Sequence, residues 1–477
     1  MKNTHTTNTS KITLYLLHLI VLFFLTTTTS LSQEQPHIVK SLPGYPGDLP
    51  FTLETGYIGV GELEQVQLFY YFVESERDVG TDPLLIWLTG GPGCSVLSGL
   101  TFETGPLVFN LTESSLESKI PKLQQNPNSW TKVASIIFVD SPVGTGFSYA
   151  THNEASKSND TLQAAHIYDF LRKWISKHPK FMNNPFYVAG DSYSGITIPI
   201  IVQNIIQGNE IGLSPELNLK GYVIGNPVSE RDADANEKYK FAQRVSLLSD
   251  ELYQSAVISC NGDFVNVDAN NTKCLRYLQV MEQDIKSING GQVLEHRCQY
   301  MSPKPVKKLS LHKYSKRYAL LEKGKGCRDY YLLTYSWAND DQVREALHIR
   351  EGSIGRWVRC NFSIPYETNV QFSLEYHKNI STKPLHVLIF SGDQDMGVSY
   401  LETLKWINEL QIPTSDDWRP WFVDGQVAGY VTEFSISSSS PYQLAFTTIK
   451  GGGHTAAEYK PRECRAMIER WLSLSPL

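Results

Sequence analysis

Six residues, Gly190-Asp191-Ser192-Tyr193-Ser194-Gly195, constrain this chain more than any other stretch. The residues before them, 185–189, are apolar and aromatic as in a buried strand, and residues 196–202 are apolar enough to begin a buried helix. A serine on a sharp turn between a strand and a helix is typical of a catalytic nucleophile. Small neighbours let the strand and the helix approach closely, and the helix N-terminus favours developing negative charge. The motif alone fits an ordinary strand-ending turn equally well, so the rest of the chain has to decide.

Two later strands end in the partners that a nucleophilic serine needs. A predicted strand at 385–390 is followed by Asp393 and Asp395, and one at 444–449 is followed by His454. A serine nucleophile requires a histidine base and a carboxylate that orients it. In α/β-hydrolases these residues follow one another in the order Ser, Asp, His, each after a strand. A solvated loop carboxylate or a structural histidine would explain either position alone, but their joint order favours a catalytic triad.

The alternation of strands with helices predicts a doubly wound, mainly parallel sheet, as in the α/β-hydrolase fold. An amphipathic helix, with Asp160 and Thr161 as candidate N-cap residues, precedes the strand that carries the serine, and a last helix is predicted at 461–472. The rhythm changes at 226–335, which is helical and polar and holds four of the seven cysteines, so we predict a disulfide-bonded insertion domain there. The core is then divided into 34–225 and 336–477. Further strands are predicted at 66–72, 84–88, 134–140 and 219–224.

Composition and the first residues limit the classes of function. Hydrophobic residues make up 41% and charged residues 19% of the chain, which excludes a disordered or coiled-coil protein, and a net charge of −6 gives no footprint for nucleic acid or acidic membrane. No HExxH or Cys-x-x-Cys spacing predicts a metal or other cofactor. The apolar run at 12–25 is shorter than the roughly 20 residues of a membrane span. We therefore expect a cleaved signal peptide at 1–33 rather than a signal anchor.

Cysteines and sequons agree with a lumenal or extracellular compartment. The seven cysteines could form three disulfides in an oxidising lumen, with Cys464 as the candidate for a buried free thiol. We expect delivery to the secretory pathway, either to the vacuole or to the cell exterior. Candidate N-glycosylation sites stand at Asn110, Asn159, Asn270, Asn361 and Asn379.

Five motifs stand at the ends of the predicted strands: Trp87 to Ser95 (WLTGGPGCS), Asp140 to Tyr149 (DSPVGTGFSY), Gly190 to Gly195, Gly392 to Asp395 (GDQD) and Gly452 to His454 (GGH). Through these motifs the chain resembles, from Ile38 to Leu477, the serine carboxypeptidases and the serine carboxypeptidase-like acyltransferases. The resemblance implies that Ser192 is the nucleophile, His454 the base and Asp395 the orienting acid, with an oxyanion hole formed by the backbone N–H groups of Gly91 and Tyr193.

The resemblance also implies a set of disulfide bonds and a candidate site of chain cleavage. It implies no cofactor. Some family members are cut within the insertion, and the basic stretch 304–325 would be the place of a cut that gives a two-chain form. The implied disulfides are Cys94–Cys360, Cys260–Cys274 and Cys298–Cys327, which leaves Cys464 free.

Departures from the carboxypeptidase pattern concern the grip on the peptide carboxylate. Carboxypeptidases of this family use an Asn before Gly-Gly-Pro-Gly, a Glu before the nucleophile and a second Glu downstream. Here these positions hold Thr89, Asp191 and Glu103, so only the last is kept. Threonine lacks the amide donors of asparagine, and one unmade contact to a charged group costs about 1–3 kcal/mol. We take Thr89, Gly90, Glu103 and Asp191 as candidate substrate contacts.

The same positions are similar to those of the acyltransferase branch, which carries Gly-Asp-Ser-Tyr-Ser-Gly. That branch also resembles this chain at Gly44 to Phe51 (GYPGDLPF) and Gly452 to Ala456 (GGHTA). The resemblance implies a 1-O-β-acyl-glucose donor and an alcohol acceptor. The alternatives are a serine-type carboxypeptidase that works at acid pH and a binding protein with an inactive hydrolase fold. The sequence leaves open the acyl group, the acceptor and the oligomeric state.

Overall fold

The computed structural model describes residues 36–112, 120–297, 330–436 and 442–477, and its centre is one large sheet. Twelve strands form it in the order β1-β2-β3-β7-β4-β10-β11-β13-β16-β15-β14, with β8 beside β3, while β5 pairs with β6 and β9 with β12. The strands are β1 (His37–Ser41), β2 (Asp48–Val60), β3 (Val66–Val73), β4 (Leu84–Leu88), β5 (Leu107–Phe109), β6 (Leu123–Gln125), β7 (Ser135–Val139), β8 (Tyr149–Ala150), β9 (Ser158–Asn159), β10 (Phe186–Asp191), β11 (Leu219–Gly225), β12 (Tyr366–Glu367), β13 (His386–Gly392), β14 (Thr414–Val423), β15 (Gln426–Ser435) and β16 (Gln443–Ile449).

The six central strands, β7-β4-β10-β11-β13-β16, are parallel, and antiparallel strands flank them at both edges. Their carboxyl ends therefore meet at one edge of the sheet, where ligands bind in open α/β sheets. The predicted α/β-hydrolase fold is confirmed.

Both faces of the sheet are buried, which explains why its strands read as continuous apolar runs. Strand β4 illustrates the period of two. Leu85 and Trp87 point into one core, whereas Leu84, Ile86 and Leu88 point into the core on the opposite face.

Helices cover both faces, and three of them follow β11 to form a third, smaller core. In that core Met396 and Leu401, which come after β13, pack among side chains of α4, α5 and α6. The helices are α1 (Leu97–Phe102), α2 (Asp160–Lys177), α3 (Ser194–Glu210), α4 (Arg231–Arg244), α5 (Asp250–Cys260), α6 (Thr272–Ile285), α7 (Tyr330–Ala338), α8 (Asp341–Ala346), α9 (Leu374–Ile380), α10 (Tyr400–Glu409), α11 (Ala456–Tyr459) and α12 (Pro461–Leu472). None of the helices that the structure describes is long and apolar enough to cross a membrane.

Two of the implied disulfides are present. Cys260–Cys274 joins α5 to α6, and Cys94–Cys360 joins the loop after β4 to a segment 266 residues away. Cys464 is free and buried. The predicted signal peptide at 1–33, the implied Cys298–Cys327 bond and the basic stretch 304–325 lie outside the described residues.

Two details differ from the sequence analysis. The N-cap of α2 is Asn159, whose side chain accepts a hydrogen bond from the Leu162 N–H, and Asp160 already lies in the first turn. The hairpin β14–β15 was not predicted, although its turn, Asp424-Gly425, has positive φ at both residues and is the dipeptide that favours tight hairpins.

Candidate active site

The turn after β10 holds Ser192 in a strained conformation in which the residue is partly exposed. Ser192 has a φ of 57°, a left-handed value that is uncommon for a residue other than glycine. Its N–H donates to the Gly225 carbonyl at 2.9 Å, which ties the turn to the next strand. A Cβ on Gly190 would lie 2.3 Å from the Leu88 carbonyl oxygen, so only glycine lets β10 pass β4 at this point. Helix α3 begins directly behind the serine.

The three predicted triad residues lie within hydrogen-bond distance of one another at the carboxyl ends of β10, β13 and β16. His454 Nε2 is 2.8 Å from Ser192 Oγ, and His454 Nδ1 is 2.6 Å from Asp395 Oδ2. The Asp395 side chain is 1% exposed and that of His454 is 25% exposed, so the base can meet a substrate while the acid stays dry.

The environment of Asp395 fixes the protonation of the imidazole. Its Oδ1 accepts from the N–H groups of Gly397 and Val398, and its Oδ2 accepts from Asn226 Nδ2 at 3.0 Å. A carboxylate that receives this many donors acts as an acceptor toward His454 as well. The proton therefore sits on Nδ1, and Nε2 is free to accept the serine proton.

The electrostatics of His454 suit a base. Burial acts to lower its pKa, but the charge of Asp395, the hydrogen bond to it and the charge of Asp191 outweigh burial and raise the pKa above its usual value.

A glycine-rich loop after β4 faces the serine. A Cβ on Gly90 would lie 2.5 Å from the Tyr193 nitrogen and 2.8 Å from Ser192 Oγ, so the absence of a side chain opens the space between them. In the part of the chain that the structure describes, the Gly91 and Tyr193 amides donate to no other group. Two unengaged N–H groups beside a nucleophile are what an oxyanion hole requires.

Two of the predicted substrate contacts, Glu103 and Asp191, form a carboxyl cluster together with Glu458. Glu103 is 2% and Asp191 is 4% exposed, and Asp191 Oδ1 accepts from the Gly90 N–H at 3.2 Å. Burial raises the pKa of Asp191 to about 6. Burial, together with the charges of Asp191 and Glu458, raises the pKa of Glu103 well above its usual value. The Thr89 hydroxyl and Glu103 Oε1 are buried and make no hydrogen bond within the described residues.

Arg359 supplies the positive charge that faces this cluster. Its guanidinium lies 4.0 Å from the centre of the Tyr331 ring, and the Tyr331 hydroxyl donates to Glu458 Oε2 at 3.1 Å. The Cys94–Cys360 bond and a hydrogen bond from the Ser95 N–H to the Arg359 carbonyl hold this segment against the glycine-rich loop.

The sequence analysis missed four residues of this site: Asn226, Tyr331, Arg359 and Glu458. Two signals could have found some of them. Arg359 precedes a cysteine that the family resemblance bonds to Cys94, and Glu458 follows His454 by one helical turn. Nothing local distinguishes Asn226 or Tyr331.

The candidate glycosylation sites differ in exposure. Asn270 and Asn379 are exposed, whereas Asn110, Asn159 and Asn361 are partly buried. No group of three or more His, Cys, Asp or Glu side chains is arranged to hold a metal ion within the described ranges.

Comparison with known proteins gives three findings. The family model of the serine carboxypeptidases, peptidase family S10, matches residues 43–474. In Arabidopsis thaliana, serine carboxypeptidase-like 7 is 47% identical over 463 residues, which cover 97% of this chain and 98% of that protein. Serine carboxypeptidase-like 1 is 45% identical over an alignment of 478 positions that covers 100% of both chains. A prohormone-processing carboxypeptidase of Saccharomyces cerevisiae has a similar structure, with a TM-score of 0.67 at 19% identity over 89% of this chain and 91% of that one.

Proposed function

The chain belongs to the serine carboxypeptidase family, and we propose that within this family it is an acyltransferase. It moves an acyl group from a 1-O-β-acyl-glucose ester to the hydroxyl of an alcohol acceptor, through an acyl-enzyme on Ser192. The single observation that carries the proposal is the buried Thr89 hydroxyl, which makes no hydrogen bond among the described residues and stands where the carboxypeptidase pattern has the amide donors of an asparagine.

Both half-reactions use the same three side chains. His454 Nε2 takes the proton from Ser192 Oγ, which attacks the ester carbonyl carbon, and the resulting oxyanion accepts hydrogen bonds from the Gly91 and Tyr193 N–H groups. The bond to the glucose oxygen breaks, and glucose leaves with the proton from His454. The acceptor hydroxyl then gives its proton to His454 and attacks the acyl carbon, and Ser192 leaves and recovers that proton.

When its side chains are ionised, the carboxyl cluster favours a sugar over a peptide carboxylate. Glu103 and Asp191 are acceptors when ionised, and hydroxyl groups are donors that match them. A peptide carboxylate would be repelled by either side chain in its ionised form. Thr89 offers one hydroxyl where the carboxypeptidase pattern has an amide. The proposal assigns Thr89, Gly90, Glu103 and Asp191 to the glucose or to the acceptor.

The raised pKa values of Asp191 and Glu103 support a second candidate function, that of a carboxypeptidase that works at acid pH. Below pH 6 Asp191 is protonated, since burial raises its pKa to about 6, and the pKa of Glu103 is raised as well. Two neutral carboxyl groups could then donate to a peptide carboxylate. Hydrolysis and transfer differ only in whether water or an alcohol discharges the acyl-enzyme.

We also propose a lumenal setting for this activity, in the vacuole or outside the cell, reached through a cleaved signal peptide and with N-linked glycans. Cleavage within 304–325 would give two disulfide-linked chains. The small-molecule donor and acceptor would be the only partners of the reaction, with no cofactor.

The decisive experiment offers both substrates to the purified glycosylated protein at mildly acid pH. One sample receives a 1-O-acyl-glucose with a mixture of alcohols, and the other an N-blocked dipeptide; Ser192→Ala is the control for each. New esters that are absent with Ser192→Ala are the expected result, and the product identifies the acceptor. Release of the C-terminal amino acid without any new ester would replace the proposal with the carboxypeptidase.

A further inference from the structure

The loops that carry Asp395 and His454 are not held by the sheet alone. Residues 393–398, here the acid loop, follow β13, and residues 450–455, the base loop, follow β16. Between them lies a third stretch, residues 289–293, which comes after α6 and belongs to the helical region between β11 and β13. We call it the bridging segment.

The bridging segment contacts the acid loop through three backbone hydrogen bonds. The Gly290 carbonyl accepts from the N–H groups of Met396 at 2.8 Å and Gly397 at 3.0 Å, and the Val293 N–H donates to the Gln394 carbonyl at 3.1 Å. The Gly397 N–H is shared, because it also donates to Asp395 Oδ1 at 2.9 Å. One end of the segment is therefore bonded to the group that positions the catalytic carboxylate.

The same segment reaches the base loop through two further hydrogen bonds. The Gly291 carbonyl accepts from the His454 N–H at 2.7 Å, and Gln292 Nε2 donates to the Gly451 carbonyl at 3.1 Å. Gln292 is 2% exposed, so the hydrogen bond that its side-chain amide donates is shielded from water, which strengthens it.

Asp393, the first acid of the pair after β13, joins the two loops directly. Its Oδ1 accepts from the Gly451 N–H at 2.7 Å, and its own N–H donates to the Ile449 carbonyl at 3.1 Å. Gly451 is thus held from both sides, its N–H by Asp393 and its carbonyl by Gln292. Asp393 does not touch Ser192 or the His454 ring in any hydrogen bond of the described residues.

We propose that the bridging segment, Gln292 and Asp393 form a positioning device that sets the distance between Asp395 and His454. The two loops end different strands, and their catalytic atoms have to meet at 2.6 Å. A displacement of about 1 Å at reacting groups can cost a hundredfold in rate. Gln292 and Asp393 are positioning residues, and through the bridging segment the helical region supports the geometry of the triad.

This inference rests on the triad of the proposed function but not on its substrate. A fluorophosphonate probe therefore tests it, because an activated serine displaces fluoride from the probe whatever the natural acyl group is. The measured quantity is the second-order rate constant of labelling at Ser192, as a function of pH, in the full glycosylated protein. A wild-type protein that is not labelled would overturn the triad and this inference together, whereas a wrong acyl donor would affect only the proposed function.

Two matched variants separate the hydrogen bond of Asp393 from its charge. Asp393→Ala removes the acceptor for the Gly451 N–H, and we expect labelling to slow by about 10- to 100-fold. The acid limb of the pH profile of labelling should also move to lower pH, because a displaced Asp395 stabilises the His454 imidazolium less well. Asp393→Asn keeps an oxygen acceptor of the same shape, and we expect a rate within about threefold of the wild type.

Gln292→Glu and Asn184→Ala complete the test if Asp393→Ala folds poorly. Gln292→Glu has the same shape but cannot donate to the Gly451 carbonyl when ionised, and we expect labelling to slow about tenfold. Asn184 is as buried as Gln292 and donates to the Val79 and Asp82 carbonyls, before β10 begins and far along the strand from Ser192. Asn184→Ala should lower the melting temperature and leave labelling unchanged. Labelling of Asp393→Ala and Gln292→Glu at the wild-type rate, or equal losses in Asp393→Asn and Asp393→Ala, would overturn the proposal.

Discussion

The triad and the candidate substrate contacts are built in opposite ways. In the triad the polar atoms are paired: Asp395 receives four donors, and each ring nitrogen of His454 has a partner. Among the candidate substrate contacts, the Thr89 hydroxyl and Glu103 Oε1 are buried without a hydrogen bond in the described residues. The triad is complete before substrate arrives, whereas the candidate substrate contacts have polar capacity left for a ligand.

This difference separates chemistry from specificity. A preorganised triad can serve any acyl donor, because its geometry does not depend on the leaving group. An unsatisfied buried polar group costs about 1–3 kcal/mol, and a ligand that pairs with it recovers that free energy. The carboxyl cluster is therefore the place where a change of two side chains can alter the substrate while the reaction type stays the same.

The largest effect is expected from replacing Asp395 of the triad. Asp395→Asn keeps the shape but can present an amide donor to His454 Nδ1, so the imidazole loses the tautomer that accepts the serine proton. We expect kcat to fall about 10⁴-fold at unchanged folding. The measurement is the steady-state rate with whichever substrate, acyl-glucose or N-blocked dipeptide, the protein is found to use, together with thermal unfolding of the variant.

Asn226→Ala is the matched control for this prediction. It removes one donor to Asp395 but leaves the carboxylate, so its loss of kcat should be much smaller than that of Asp395→Asn. Equal losses in the two variants would show that the packing around Asp395, rather than its charge and tautomer control, accounts for the effect.

An intermediate effect is expected from changing two of the candidate substrate contacts. The double variant Thr89→Asn, Asp191→Glu restores the carboxypeptidase pattern next to Glu103. Each restored contact to a charged carboxylate contributes about 1–3 kcal/mol, and the two together about 2–6 kcal/mol, so we expect the ratio of dipeptide hydrolysis to ester transfer to rise by about 30-fold or more. Both kcat/KM values are measured on the same preparation.

The single variants sharpen this comparison. Thr89→Asn and Asp191→Glu should each give part of the change, and their combined effect should exceed the sum because both would contact one carboxylate. A double variant that loses ester transfer without gaining hydrolysis would mean that these positions do not decide between the two substrates.

The same contrast decides what could be predicted from the sequence. The fold and the order of Ser192, Asp395 and His454 follow from local patterns, since each residue comes directly after an apolar strand and parallel strands bring such positions to one edge. Local patterns of this kind can be recognised in a single sequence.

The residues that surround the carboxyl cluster and Asp395 come together through long-range contacts, which no local sequence pattern indicates. Arg359 reaches the carboxyl cluster because a disulfide with a sequence separation of 266 holds the neighbouring Cys360 to Cys94. Tyr331 stands under the Arg359 guanidinium at the start of α7. Asn226 accepts the φ of 40° that turns its amide toward Asp395, but nothing in Gly225-Asn226-Pro227 indicates that target. Long-range packing of this kind requires the folded chain.

The smallest effect is expected on stability, and its sign follows from burial of Asp191. Burial raises the folded-state pKa of this carboxyl from 3.8 to about 6. A raised carboxyl pKa stabilises the fold at acid pH, and this contribution is lost as the pH rises through about 6. Asp191→Asn is neutral at every pH, so it should match the wild type near pH 4 and exceed it near pH 7 by about 1–3 kcal/mol.

Chemical denaturation of both proteins from pH 4 to pH 7 measures this difference. Asp140 and Glu402, two other buried carboxyls with raised pKa values, are present in both proteins and cancel. Asp78→Asn provides a control of opposite sign. The pKa of the exposed Asp78 is lowered by hydrogen bonds from Thr81 and Gly80, so its variant should fall below the wild type at neutral pH and approach it on acidification. A difference between wild type and Asp191→Asn that is constant with pH would mean that the pKa of Asp191 is the same in the folded and unfolded states, so that this side chain is ionised above about pH 5. The carboxyl cluster would then repel a peptide carboxylate at mildly acid pH, and the carboxypeptidase alternative would lose the neutral Asp191 that it requires.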